Sequence, residues 1–235
     1  MKKKMIATLL TAAMAAGSLS GATVFAADAG TDEKVEMADV SDVDGTTITF
    51  WHSMGGVNGE AIDTLVKKFN DENEYGITVD AQYQGEYDDS LNKLKSAQIG
   101  NMGADLVQVY EIGTRFMIDS GWIVPMQQMI DADSYDVSEI EPNLAAYYTI
   151  DNELYSMPFN SSTPIMYYNK DMFDKAEITE VPDSLEGIGE IGQDLLDKGG
   201  AGEVMSLGIY GWFFEQFIGK QGLEYANNGN GRKEA

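Results

Sequence analysis

Ile77-Thr78-Val79-Asp80-Ala81-Gln82-Tyr83 is the stretch that decides the fold class. Its apolar and polar residues alternate without a break, which is typical of a strand with one buried face and one solvated face. Helical spacing of apolar residues flanks it on both sides, over residues 60–69 and 89–99. A strand between two helices is the unit from which layered α/β domains are built.

The same alternation continues outward along the chain. Residues 47–50 and 104–110 predict two more strands, and residues 112–120 a helix. This β-α-β-α-β-α order predicts a layered α/β domain whose ligands bind near the carboxyl ends of its strands.

From Pro158 onward the rhythm starts again and predicts a second α/β unit. Its helices are predicted at residues 169–175, in a segment capped by Ser184, and at residues 212–219. Residues 164–168 and 207–210 predict its strands.

The N-terminus has the layout of a secretory signal peptide. Three lysines at positions 2–4 precede an apolar run over residues 5–16 and a small-residue stretch, with cleavage expected after Ala26 or Ala27. The apolar run is too short to span a bilayer permanently. A lipid anchor would need Cys at position 22, and Ala22 stands there. The sequence therefore predicts a signal peptide at 1–27, an acidic flexible spacer at 28–45, and a secreted, periplasmic or cell-surface protein without a lipobox cysteine.

Composition narrows the possible partners. The chain has 39 acidic and 15 basic residues, a net charge of −24, which disfavours nucleic acid and anionic lipid because the summed field repels polyanions. It has no cysteine, which excludes disulfides, thiolate chemistry and Cys-ligated zinc. We expect no cofactor, because export removes the chain from cytosolic ATP and NAD(P)H, and we expect no metal site.

Catalytic motifs are sparse. There is one histidine, and neither a GxSxG nor an HExxH motif is present. Residues 187–192 match GxGxxG, but Pro182-Asp183-Ser184 precedes them where a dinucleotide fingerprint needs a strand, and their apolar spacing predicts a helix. A pair of carboxylates in a secreted glycoside hydrolase stays open as an alternative.

Aromatic residues recur where the predicted strands end. Trp51 stands beside His52, Tyr110 beside Glu111, and Tyr87 follows the 77–83 strand. Packing alone would explain each of them. Their recurrence beside polar partners favours a pocket for a polyol or sugar, in which a ring covers C–H surface and polar groups bind hydroxyls.

Four motifs resemble the extracytoplasmic solute-binding proteins of sugar-type ABC importers, over about residues 46–230. They are Phe50-Trp51-His52-Ser53-Met54, Gln108-Val109-Tyr110-Glu111-Ile112-Gly113-Thr114, Pro158-Phe159-Asn160-Ser161-Ser162-Thr163-Pro164 and Tyr167-Tyr168-Asn169-Lys170-Asp171. The likeness is nearest to the members that bind glycerol 3-phosphate. It implies the two-lobe, type II periplasmic-binding-protein fold. The first lobe would span 46–158, and the second would begin at 159 and be incomplete at 235.

The resemblance also implies a binding role without catalysis. The protein would capture sn-glycerol 3-phosphate or a glycerophosphodiester and deliver it to membrane permease subunits. An oligosaccharide is the alternative ligand within the same class. Ligand contacts are implied at four positions, of which the last departs from the expected local spacing: Tyr87, Glu111, Ser162 and Trp212. His52 and Ser161 are expected beside these contacts rather than on the ligand.

Each implied contact has a physical role and an alternative. Glu111 would accept hydrogen bonds from glycerol hydroxyls, Tyr87 and Ser162 would donate to phosphate oxygens, and Trp212 would cover the ligand's carbon face. Glu111 could instead be a first-turn carboxylate favoured by a helix dipole, and Ser162 a turn residue. Arg232, in the terminal tail, does not match the arginine with which the family binds phosphate.

Overall fold

A computed structural model of the protein describes residues 35, 42–100, 102–208 and 210–233. The described residues up to Asn160 and those from Asn228 onward form a first compact unit, and Ser161–Asn227 form a second. The predicted signal peptide and most of the predicted spacer lie outside the described residues. The chain therefore leaves the first unit after Asn160 and rejoins it at Asn228.

The first unit is built on a parallel three-stranded sheet. Its strands are β1 (Thr47–His52), β2 (Thr78–Tyr83) and β3 (Leu106–Val107), in the order β2-β1-β3. β1 pairs with β2 along its whole length, and with β3 at Phe50 and Trp51. The predicted α/β layering is confirmed, and the carboxyl ends of the strands meet at one edge.

The predicted strand over 104–110 is shortened to two residues. At its start the Asp105 carboxylate, rather than a main-chain carbonyl, accepts a hydrogen bond from Thr49 N at 2.9 Å. At its end Gln108 N still donates to Trp51 O at 2.9 Å. A hydrogen bond to a side chain thus replaces one of the main-chain hydrogen bonds that the predicted longer strand would make.

Helices α1 (Gly56–Glu72), α2 (Tyr87–Ile99) and α3 (Thr114–Ser120) follow the three strands, and a 3₁₀ turn at Glu111–Gly113 leads into α3. α1 extends beyond the predicted 60–69 at both ends. Asn70 fixes α1 to β2, because its side chain donates to Val79 O at 3.0 Å and accepts from Val79 N at 2.7 Å.

Four further elements follow α3, where sequence patterns predict neither a helix nor a strand. They are α4 (Met126–Asp133), α5 (Pro142–Tyr148) and a hairpin of β4 (Thr149–Ile150) and β5 (Glu153–Leu154). Asp151 and Asn152 form its two-residue turn with φ of 53° and 66°, a conformation that Asp and Asn tolerate well.

The core of the first unit joins the sheet to the segment before it. Val43, Ile48, Tyr75 and Ile77 form one buried cluster. Val43 belongs to the stretch predicted as spacer, and it is fully buried. The packed part of the unit therefore begins before Gly45.

Arg232 secures the returning segment to the first unit. Its guanidinium donates to the carbonyl oxygens of Ala146 at 3.0 Å, Tyr147, and Thr149 at 3.3 Å. It also lies 4.8 Å from the centre of the Tyr147 ring. A cation bound to the last carbonyls of α5 satisfies groups that a helix end leaves unpaired.

The second unit contains α6 (Lys170–Lys175), α7 (Leu185–Asp194) and α8 (Gly211–Lys220), and a π turn at Leu195–Gly199 continues α7. The Ser184 Oγ accepts a hydrogen bond from Gly187 N at 3.1 Å, as the predicted cap requires. Phe173, Ala176 and Leu195 form its core.

The predicted strands of the second unit are wrong. Residues 164–168, and residues 207, 208 and 210, are in no strand. A strand exists only where a neighbour pairs with its main chain, and the described residues of this unit contain no strand that could do so.

The GxGxxG match lies in a helix, as expected. Gly187, Gly189 and Gly192 all fall inside α7. A dinucleotide fingerprint instead places these glycines in a turn between a strand and a helix. The match is a coincidence of composition.

Candidate functional site

Tyr87 and Tyr110 form a stacked aromatic pair at the carboxyl edge of the sheet. Tyr87 is the first residue of α2, and Tyr110 lies shortly after β3. Their ring centroids are 5.4 Å apart and their planes differ by 12°. The Tyr110 hydroxyl donates to Asp88 Oδ1 at 2.5 Å. The pair gives this edge a flat apolar surface bordered by polar groups.

Glu111 stands next to this pair. It is half-buried and opens the 3₁₀ turn before α3. Burial raises the pKa of Tyr148, and the neighbouring Glu111 charge and Tyr87 raise it further. Glu111 and Tyr87 therefore each lie within electrostatic reach of Tyr148, and the raised pKa belongs to Tyr148 alone. It also keeps the Tyr148 phenol protonated as a hydrogen-bond donor.

A chain of hydrogen bonds runs behind the aromatic pair. Ser53 N donates to Gln108 Oε1 at 2.9 Å, and Gln108 Nε2 donates to Asn160 Oδ1 at 2.7 Å. Asn160 Nδ2 then donates to the Tyr87 hydroxyl oxygen at 3.2 Å. These three hydrogen bonds link the ends of β1 and β3 to the first residue of α2.

His52 lies in the core, at the end of β1. It is 3 % exposed, and its Nδ1 accepts a hydrogen bond from Met54 N at 3.3 Å. Burial lowers its pKa, and the Asp63 charge opposes that shift. A buried neutral imidazole is suited to supporting the wall of a site, and this role of His52 stays a prediction.

The other predicted residues belong to the second unit. Ser161 and Ser162 are exposed, in a segment without regular structure. Trp212 lies in the first turn of α8, half-buried, with its ring 5.7 Å from that of Phe213. The structure thus brings Tyr87 and Glu111 together in one unit, and the roles of Ser162 and Trp212 stay predictions.

Several site residues were not predicted as such. Gln108 and Asn160 stand inside the motifs that carried the family resemblance, but no role was assigned to them. Tyr110 is recognisable in the sequence as a strand-end aromatic, but no sequence signal marks it as the stacking partner of Tyr87. Asp88 carries no sequence signal beyond being an acid in a helix first turn.

Two observations concern the class of protein. Among residues 42–100, 102–208 and 210–233, no cluster of three or more histidine or carboxylate side chains is arranged to hold a metal ion. None of the helices in that same part of the chain is both long and apolar enough to cross a bilayer.

Comparison with known proteins places the chain among binding proteins. The model of the family described as bacterial extracellular solute-binding protein matches residues 64–235. The sn-glycerol-3-phosphate-binding periplasmic protein UgpB of Salmonella typhimurium is 38% identical over 195 residues, and that of Escherichia coli K12 is 36% identical. Each match covers 79% of this chain, which spans only 44% of the length of these relatives.

Solved structures agree with the predicted fold class. UgpB of Mycobacterium tuberculosis, in complex with glycerophosphocholine, matches with a TM-score of 0.59 at 26% identity, over 63% of this chain and 38% of that one. The GacH receptor of Streptomyces glaucescens matches with a TM-score of 0.54 at 22% identity, over 66% and 39%. Both neighbours have the type II periplasmic-binding-protein fold, which confirms that prediction.

Proposed function

The chain belongs to the bacterial extracellular solute-binding proteins, and on that premise we propose that it captures sn-glycerol 3-phosphate or a glycerophosphodiester for an ABC importer. In this role it delivers the ligand to membrane permease subunits and does not change it chemically. The observation that carries the proposal is the 36–38% identity, over 195 residues, to relatives named for binding sn-glycerol 3-phosphate.

The site in the first unit has the chemistry that such a ligand needs. The Glu111 carboxylate accepts hydrogen bonds from glycerol hydroxyls, and bonds to a charged acceptor are the stronger kind. The Tyr87 hydroxyl donates to phosphate oxygens, and the stacked Tyr110 ring extends the apolar surface beside it. In the second unit, Ser162 is the proposed second donor and Trp212 the proposed cover for the ligand's carbon face.

The proposal also covers the layout of the chain. A signal peptide at 1–27 exports the protein, and an acidic spacer follows from residue 28. The first lobe takes in Val43, the residues up to Asn160 and the segment from Asn228, and the second lobe takes in Ser161–Asn227. The acidic composition disfavours nucleic acid as a partner.

An oligosaccharide is the second candidate ligand. The stacked pair of Tyr87 and Tyr110 favours it, since aromatic faces bind the C–H surface of sugars. It has less support, because the oligosaccharide-binding neighbours named with their ligands are only 18–22% identical to this chain. A hydrolase fragment would release reducing sugar from an oligosaccharide, whereas a binding protein returns it unchanged.

Isothermal titration of the chain with four ligands tests the proposal. We expect binding of glycerol 3-phosphate or glycerophosphocholine, and none of maltose or of inorganic phosphate at the same concentration. Recovery of the ligand unchanged, checked by ³¹P NMR, is expected after incubation. Binding of maltose alone would favour the oligosaccharide assignment, and turnover of any ligand would contradict a pure binding role.

A further inference from the structure

The hydrogen-bond chain from Ser53 to Tyr87 has a fixed direction. It begins at a main-chain N–H, which can only donate, and Ser53 is 5 % exposed. Gln108, 8 % exposed, must therefore turn its carbonyl oxygen towards Ser53 and its NH₂ group towards Asn160. Asn160 accepts that bond through its own carbonyl oxygen, so its NH₂ group faces Tyr87.

The direction of the chain decides what the Tyr87 hydroxyl can do. Its oxygen already accepts a hydrogen bond from Asn160. Among the residues that the structure describes, none accepts a bond from this hydroxyl. Its proton is thus available for an outside acceptor, whereas the proton of the stacked Tyr110 goes to Asp88.

We propose that Gln108 and Asn160 are positioning residues that set the Tyr87 hydroxyl as a hydrogen-bond donor to a ligand oxygen without protons, such as that of a phosphate group. This inference rests on the proposed function, because it deepens the role of Tyr87 there. It adds two residues that do not touch the ligand and that act through the orientation of two side-chain amides.

Gln108→Glu reverses the direction of the chain. A carboxylate at position 108 still accepts from Ser53 N, but its other oxygen cannot donate to Asn160. Asn160 then turns its NH₂ group to the carboxylate and its oxygen to Tyr87. The Tyr87 hydroxyl therefore donates to Asn160 and no longer has a proton to donate to a ligand. Gln108→Met is the neutral variant of similar length, and it removes the orientation without adding charge.

A double-mutant cycle tests the proposal with glycerol 3-phosphate as the probe. We expect Tyr87→Phe to weaken binding roughly tenfold, the scale of one hydrogen bond to a charged group. Gln108→Met should weaken it less than Gln108→Glu. In the Tyr87→Phe background Gln108→Met should have no further effect, because no hydroxyl remains to be oriented. An equal loss in both backgrounds would mean that Gln108 is merely structural and would overturn the proposal.

Asn160→Leu covers the case in which the Gln108 variants do not fold. Asn160 is exposed, so its replacement leaves the core intact. We expect a measurable loss of affinity that is smaller than for Tyr87→Phe, and no further loss when the two are combined. Unchanged affinity would overturn the proposal.

A readout without ligand separates this inference from the proposed function. In a ¹H–¹⁵N NMR spectrum the side-chain amide of Asn160, identified by its absence in Asn160→Leu, should shift in both Tyr87→Phe and Gln108→Met. If the Asn160 amide signal shifts in neither variant, the hydrogen bonds that join Gln108, Asn160 and Tyr87 are absent. The inference then fails, whichever ligand the protein binds. If the protein binds neither glycerol 3-phosphate nor glycerophosphocholine, the proposed function fails. The NMR spectrum then still decides whether the side-chain amides of Gln108 and Asn160 are oriented.

Discussion

Glu111 is the single residue on which the proposed recognition depends most, because it is a half-buried carboxylate directly after Tyr110. We predict that Glu111→Ala weakens binding of glycerol 3-phosphate by about 1.5–3 kcal/mol, the scale of hydrogen bonds to a charged group. Isothermal titration measures the change. Glu186→Ala is the matched control, because Glu186 is also an acid in the first turn of a helix. Unchanged affinity for Glu111→Ala would remove Glu111 from the site.

His52 gives the molecule a pH-dependent residue that can be observed directly. It is the only histidine of the chain, so its imidazole resonances need no assignment. Burial lowers its pKa in the folded state from the ordinary 6.5. We predict an NMR titration midpoint below 6.5, and a midpoint at or above that value would contradict the burial argument.

The sign of the linked stability change follows from that shift. Between the lowered folded pKa and 6.5 the unfolded chain binds more protons at this position than the folded chain does. The free energy of unfolding therefore falls as the pH falls through 6.5 towards the folded pKa, and this contribution is complete above 6.5. Urea unfolding of His52→Asn, which retains an acceptor for Met54 N, should show a smaller loss over the same pH range.

At the level of elements, α7 offers a matched pair of glycine substitutions. A Cβ at Gly189 would meet no atom within 4 Å, whereas one at Gly192 would lie 3.0 Å from a methyl group of Val204. We predict that Gly189→Ala stabilises the second unit by about 0.5–1 kcal/mol, because alanine loses less backbone entropy in a helix. Gly192→Ala should bring no such gain. Chemical denaturation compares the two, and a loss for Gly189→Ala would argue against α7 as an ordinary helix.

Local sequence patterns predicted the helices and strands that form mainly because of their own residue spacing. The alternation over 77–83 predicted β2, and the helical spacing around Leu91 and Leu94 predicted α2. The strands expected at 164–168 and 207–210 depend on a partner strand, and a partner is not a local property.

The candidate site shows the same division. Tyr87 and Glu111 could be predicted because they stand in recognisable motifs. The bond between Gln108 and Asn160 joins residues 52 positions apart. Only the folded chain reveals such a contact.

At the scale of the whole molecule, the path of the chain matters as much as its elements. The segment from Asn228 returns to the first unit, and Arg232 there binds the carbonyl end of α5. Local sequence patterns assign no role to Arg232, because its partners lie 83–86 positions away. The first unit is therefore built from residues that precede the second unit in the sequence and from residues that follow it.

We predict that Arg232→Ala destabilises the first unit by about 1–2 kcal/mol, because it leaves the last carbonyls of α5 without their charged donor. Urea unfolding followed by tryptophan fluorescence measures this in a Trp212→Phe background, where the remaining tryptophans, Trp51 and Trp122, both lie in the first unit. Arg232→Lys should fall in between, since an ammonium group keeps the charge but cannot lay a planar guanidinium over the Tyr147 ring. The neighbouring Lys233→Ala is the control and should leave the midpoint unchanged. Equal shifts for Arg232→Ala and Lys233→Ala would mean that only the net charge of the segment matters, and that the bonds to α5 contribute nothing to the fold.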